Sequence, residues 1–161
     1  MPEPSWATTS DYSVLMSRPA SVRFDDRVLD RLRKYVSVQP DASLSSAANR
    51  LVDEGLRMEQ HPLVIFRDGP TGRRARMIAG PDVWEIVAAV RSTRESEPDL
   101  SEDAVIELAA DTSGLTGRLV RAAIDYWSDF PDEIEGQIAR AREAEQLAFE
   151  RWELQRKLLA R

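Results

Sequence analysis

The residue types that carry most enzymatic chemistry are nearly missing from this chain. It has one histidine, His61, and no cysteine among 161 residues. That excludes thiolate nucleophiles, disulfides and Cys-ligated zinc, and one imidazole cannot supply the histidine sets of cysteine-free zinc sites. His61 precedes Pro62 with no nucleophile close in sequence, which fits a linker or packing role better than acid–base catalysis. Paired carboxylates are available among 28 acids, but helical surfaces use acids without any chemistry. The expectation is a protein that is not an enzyme, with no catalytic residue, metal or cofactor.

The remaining chemistry is that of binding. Ser21 and Arg23 alternate with Val22 and Phe24, and a strand's period of two sends the two pairs to opposite faces. Two such strands paired across a dimer make a ribbon narrow enough for the DNA major groove. There an arginine can donate two hydrogen bonds to guanine and a serine can donate or accept. Ser43, Leu44 and Ser45 open a following helix and would offer backbone N–H groups to a phosphate. The spacing is equally compatible with Arg23 as a merely exposed strand residue. A second basic group, Arg67, Arg73, Arg74 and Arg76, surrounds the turn Asp68-Gly69-Pro70-Thr71-Gly72. It could hold a phosphate or a partner protein's carboxylates, Arg73 and Arg74 foremost, or be a solvated turn.

At about 100° per residue, Leu147, Leu154 and Leu158 fall together, with Ala148, Trp152 and Leu159 beside them and Phe149 extending the arc. Glu150, Glu153, Lys157 and Arg161 gather opposite. A terminal helix this apolar must pack on its own core, on a second copy or on another protein. Leu147, Phe149, Trp152 and Leu158 are the candidate partner-binding residues.

The elements that must position these residues follow from punctuation and periodicity. Residues 1–18 carry prolines, serines and threonines without periodicity, as expected of a flexible arm. Ala20–Asp25 reads as a short strand. Asp25 and Asp26 lead into a helix whose face is Val28, Leu29, Leu32, Tyr35 and Val36. Ser43 caps a second helix, with Leu44, Ala47, Ala48, Leu51, Val52 and Leu56 as its buried face. This strand–helix–helix unit is too small to bury a sufficient core alone and should fold as an intertwined dimer. Leu63–Phe66 and Arg73–Ile78 predict a hairpin with a five-residue loop, followed by a helix with Pro81 in its first turn and face Val83, Ile86, Val87 and Val90. Residues 92–100 read as an acidic loop. Ser101 then caps a helix carrying Val105, Ile106 and Leu108, and Thr116 caps one carrying Leu119, Val120, Ala123, Ile124 and Trp127. After Phe130-Pro131 a final helix runs to the C-terminus.

Charge divides along the chain. Residues 18–80 hold 12 basic and 8 acidic side chains, whereas residues 81–161 hold 10 basic and 18 acidic. A front part that can approach polyanions is thus followed by one that avoids them. No apolar run approaches the roughly 20 residues of a membrane span, and the N-terminus lacks the basic start and apolar stretch of a secretory signal. A cytoplasmic protein with no membrane partner is expected.

Ala20-Ser21-Val22-Arg23-Phe24-Asp25, Val28-Leu29-Asp30-Arg31-Leu32 and Leu44-Ser45-Ser46-Ala47-Ala48-Asn49-Arg50-Leu51 together resemble a ribbon-helix-helix repressor over residues 19–59. The resemblance implies a homodimer that inserts a two-stranded ribbon into operator DNA, with positions 19, 21 and 23 facing bases. Position 19 is proline here, so base reading would rest on Ser21 and Arg23. Farther along, Leu115-Thr116, Val120, Ala123-Ile124-Asp125-Tyr126-Trp127 and Asp132-Glu133-Ile134-Glu135, with Val83-Trp84, resemble a small antitoxin-like family over residues 62–138. That family includes VapB-type antitoxins and has a short hairpin before a homeodomain-like helical core. The family's hairpin motif survives here only as Gly72-Arg73-Arg74.

The expected architecture is mainly α with short β elements. A flexible arm (1–18) precedes a ribbon-helix-helix DNA-binding and dimerisation module (19–60), an antitoxin-like hairpin and helical module (61–130), and a long C-terminal helix (131–161) for partner binding or packing. The resemblances imply a type II toxin–antitoxin system antitoxin that neutralises a PIN-like ribonuclease toxin and represses its own operon. The rival is a ribbon-helix-helix transcriptional regulator whose C-terminal domain senses a ligand or oligomerises, with no toxin partner. Arg118 and Arg121, on the recognition helix of a homeodomain-like fold, are read as surface residues because acids surround them.

Overall fold

The computed structural model describes residues 21–39 and 42–160; the arm at 1–18 with Trp6, and Pro19 and Ala20, lie outside them. The described residues form six helices and one two-stranded antiparallel sheet. None of these helices is long and apolar enough to cross a membrane. The chain divides into two units, Met1–Ala47 and Ala48–Arg161.

In the first unit, Asp25 opens helix α1 (Asp26–Ser37), its carboxylate accepting the Val28 N–H at 2.9 Å. Leu32 and Ala47 are buried, while Leu29, Tyr35 and Val36 are half-buried. Val22, Phe24, Val28 and Leu44 stay exposed. Ser21–Asp25 forms no strand within the single chain; the pairing expected there is with a second copy. Helix α2 (Leu44–Gln60) starts with a reciprocal serine box. The Ser46 N–H donates to Ser43 Oγ and the Ser43 N–H donates to Ser46 Oγ, both at 3.0 Å. Two donors left over by helix geometry are thus satisfied, as in a capping box.

The second unit takes over α2 at Ala48. The expected buried face of this helix is corrected here: Leu51, Val52 and Leu56 are exposed, and what α2 buries instead is Glu54, with Arg57 half-buried beside it. Among the described residues the apolar stripe stays exposed, whereas the opposite stripe meets oppositely charged side chains.

Strands β1 (Val64–Gly69) and β2 (Gly72–Met77) pair in register from Val64↔Met77 to Gly69↔Gly72. The loop is therefore two residues, Pro70-Thr71, rather than the expected five. Gly72 makes the tight closure possible at φ +104°, a conformation costly for residues with a Cβ. Val64, Ala75 and Met77 line the inward face of the hairpin and join the core, with Phe66 packed against it.

Four helices complete the unit: α3 (Val83–Ser96), α4 (Glu102–Ser113), α5 (Gly117–Asp129) and α6 (Pro131–Leu159). Asp82 takes the N-cap position of α3, its N–H donating to the Glu85 carboxylate at 2.8 Å, so Pro81 precedes the helix instead of lying in its first turn. Helix α3 also runs through residue 96, shortening the expected loop to residues 97–101. Ser101 caps α4, accepting from the Ala104 N–H at 3.3 Å. Of the α4 face, Val105 and Ile106 are buried, but Leu108 is exposed and Ala109 and Ala110 are buried in its place. Helix α4 ends at Gly114 in the left-handed conformation, φ +66°. On α5 the stripe Val120, Ala123, Tyr126 is wholly inaccessible, the three-residue spacing expected of one helix face. Phe130 breaks the chain, and Pro131 sits where a helix needs no N–H. Ile134 and Ile138 of α6 close the core.

Candidate functional site

The densest polar arrangement lies in the second unit, where Arg57 of α2 meets α5 and α6. Its Nη1 donates to the Tyr126 hydroxyl at 3.1 Å and to the Glu133 carboxylate at 2.5 Å, and its Nε lies 2.9 Å from Asp53. The guanidinium carbon stands 4.0 Å from the centre of the Phe130 ring, a cation–π contact. Burial pulls the Arg57 pKa down, but the hydrogen bonds with Tyr126 and Glu133 outweigh it and the net movement is upward. Burial pushes the Tyr126 hydroxyl up to about 12 against the pull of the Arg57 hydrogen bond. Neither group exchanges a proton near neutral pH, so the pair works as a clamp fixing α2 to α5 and α6. His61 packs edge-on to Tyr126 with ring centres 5.1 Å apart, and its Nε2 lies 3.0 Å from Asp129. Among the described residues no three His, Cys, Asp or Glu side chains converge in a way that could hold a metal ion.

Of the four hairpin arginines, Arg73 and Arg74 are half-buried and Arg67 and Arg76 are exposed. Arg73 reaches the buried Glu54 through Nε at 2.7 Å and Nη2 at 2.8 Å, and also meets Asp68 across the strand pair at 3.2 Å. Arg74 binds Asp82 at 3.1 Å, the carboxylate that also accepts the Trp84 N–H at 3.3 Å. Arg76 donates to the Gly80 carbonyl at 2.8 Å. Arg73 and Arg74 thus hold the hairpin to α2 and to the start of α3, and a partner would have to compete with carboxylates already in place. On α5, Arg121 pairs with Asp103 at 2.7 Å, and Arg118 is exposed.

The C-terminal candidates lie where a partner could reach them. From Arg142 to Ala160 every residue except the half-buried Glu153 is exposed. Leu147 is 51% accessible, Phe149 53%, Trp152 50% and Leu158 85%. Phe149 and Trp152 stack loosely on each other, 5.7 Å between centres, and Arg156 lies 5.3 Å from the Trp152 ring. Packing of this stripe on the chain's own core, one of the alternatives open in the sequence, is therefore not what the fold does with it.

In the first unit Ser21 and Arg23 are exposed, as are Ser43 and Ser45 at the start of α2. The Ser43 hydroxyl and N–H are engaged by Ser46, which leaves Ser45 as the serine presented by the first turn. Sequence reasoning missed Glu54 and Arg57, and had Glu133 only within a family motif and at the start of the last helix. It had Tyr126 only as part of a family motif, although its three-residue spacing from Ala123 could have placed it in the core. No family model, curated protein or solved structure matches this chain.

Proposed function

We propose that this chain is a DNA-binding antitoxin: residues 19–60 form a ribbon-helix-helix homodimer on operator DNA, and the C-terminal helix docks on a toxin protein, a PIN-like ribonuclease. The observation that carries the reading is the distal half of α6, an amphipathic helix with Leu147, Phe149, Trp152 and Leu158 presented to solvent. Such a stripe on a helix is an anchor set for a groove in another molecule. The acidic balance of residues 81–161 suits a basic ribonuclease surface. At the other end, Val22, Phe24, Val28 and Leu44 are apolar and partly or largely exposed in one chain, as half of an intertwined dimer would be. Ser21 and Arg23 are then the base readers, with Ser43 and Ser45 at the phosphate-facing helix start. The cytoplasm is the compartment this activity requires.

Two measurements test the reading. Mobility shift on the DNA upstream of the gene is expected for the full chain, with Arg23→Ala relaxing sequence preference by roughly 1–3 kcal/mol per contacted site. Co-expression with the product of the neighbouring reading frame is expected to relieve its growth arrest, and Trp152→Asp with Leu158→Asp to abolish the relief. Unaltered specific binding by Arg23→Ala would remove the ribbon assignment. Rescue by the tail variant, or a neighbouring product that is harmless alone, would remove the antitoxin assignment.

A further inference from the structure

Besides the α2 stripe, two apolar features of the second unit are uncovered and complement each other. One is the end of α6. The other is a groove of about 640 Å3 between α3, α4 and α5, floored by Val87, Val90, Val105, Ile124 and Trp127. The arginines on its rim are committed within the chain. Arg91 binds Glu135, Arg121 binds Asp103 at 2.7 Å, and Arg94 donates to the Leu100 carbonyl at 2.6 Å. Glu95, Glu102 and Asp125 complete the rim. Counting Glu135 and Asp103, carboxylates outnumber guanidinium groups there by two, so the mouth of an apolar groove is negative. The last turns of α6 have the opposite character. From Leu154 to Ala160 the chain reads Leu-Gln-Arg-Lys-Leu-Leu-Ala, with Arg156 and Lys157 as its charges and no acid.

We propose that the α6 terminus of a second copy, residues 154–159, seats in the α3–α4–α5 groove. Leu154 and Leu158, one turn apart on one face, fill the floor, and Lys157, on the flank of that face, meets Glu95, Glu102 and Asp125 at the rim. The groove cannot be filled by its own chain's tail. Helix α6 is unbroken from Pro131 to Leu159, and the turns beyond Ile138 carry it roughly 30 Å onward, with no kink to bring it back. Docking of this kind is helix-in-groove recognition with anchors at i and i+4. It shares the tail with the antitoxin reading but does not rest on it. A toxin that takes the tail would displace the second copy.

The chain has no cysteine, which makes directed cross-linking clean. A full-length chain carrying Leu158→Cys, mixed with a tagged one carrying Glu102→Cys, is expected to form a disulfide between chains. A control pair with Asp132→Cys in place of Glu102→Cys is not. In sedimentation of the purified full-length protein, Leu158→Asp is expected to raise the midpoint of tail-dependent association at least about tenfold, the effect of losing one buried leucine. Lys157→Glu should weaken it, and Glu102→Lys in the same chain should restore it. Leu158 is exposed within one chain, so these tail variants leave the fold intact, which circular dichroism verifies. Preferential cross-linking of Leu158→Cys to itself would show tails pairing with tails and overturn the proposal. So would association insensitive to Leu158→Asp. Both experiments use the purified chain alone, so failure here leaves the antitoxin reading standing.

Discussion

Replacing Arg57 by alanine is expected to destabilise the second unit by about 3 kcal/mol. Arg57 makes charge-assisted hydrogen bonds to Tyr126 at 3.1 Å and Glu133 at 2.5 Å, each of a kind contributing about 1.5–3 kcal/mol. Its contact with the Phe130 ring at 4.0 Å adds about 1–2 kcal/mol. These do not sum in full. The Glu133 side chain is 29% exposed and Asp53 57%, so water recovers part of what their carboxylates lose. The Tyr126 hydroxyl lies on an inaccessible side chain and keeps only its long bond to the Glu133 carboxylate, 3.4 Å. Arg57→Lys keeps the charge but loses the planar stack and the forked donors, and about half the loss is expected. Urea unfolding followed by far-ultraviolet circular dichroism measures both, and a double-mutant cycle with Glu133→Gln should return a coupling of about 1 kcal/mol. A loss below about 1 kcal/mol for Arg57→Ala, or a lysine variant as stable as the parent, would refute the clamp.

Three further outcomes follow from the geometry. The Tyr126 hydroxyl titrates near 12 when folded and near 10 when unfolded, so its contribution is complete below about pH 10. It declines between about 10 and 12 by up to roughly 2–3 kcal/mol, and Tyr126→Phe should flatten stability across that window in unfolding curves taken at stepped pH. Glu54→Gln leaves Arg73 facing a neutral amide in a buried place, and a loss of about 2 kcal/mol is expected by chemical denaturation; an unchanged midpoint would make the pair ornamental. Gly114→Ala forces a Cβ into a φ of +66° and should lower stability by about 1 kcal/mol, visible as a fall in Tm of a few degrees.

Local signals carried the helices well. Ser43 and Ser101 were legible as caps because a short polar side chain before an apolar periodic run satisfies the orphan N–H groups, and both do so, whereas Thr116 takes the N-cap position of α5 without a side-chain bond to the helix. The hairpin was legible as a pair, but its loop was not. A dense run of turn residues says that the chain reverses without saying which Gly takes the positive φ, and here Gly72 does, so pairing continues through Arg67↔Arg74 and Asp68↔Arg73. The exposed stripe of the tail was visible from periodicity, whereas its lack of an internal partner was not, since spacing gives a face and not what lies against it. The hairpin arginines taught the reverse lesson. Arg73 and Arg74 read as a patch for a partner because Glu54 is nineteen residues away from Arg73 in sequence, and nothing in one dimension joins them. The same distance hid the Arg57 clamp, whose partners lie 69 and 76 residues on.

Because α6 is one uninterrupted helix from the core to its end, the bearing of the tail is geared to the core. Ile134 and Ile138 fix the rotation of the helix about its own axis, and every residue after them inherits that setting. Inserting one residue near Arg142 would swing Trp152 and Leu158 round by about 100°, turning Leu158 away from whatever it faces. An insertion of seven would bring both back to within about 20° of their original bearing while carrying them roughly 10 Å farther out. Length and direction are therefore separable in this molecule. A partner that tolerates the seven-residue insertion but not the single one reads the angle of the tail, and one that rejects both reads its reach.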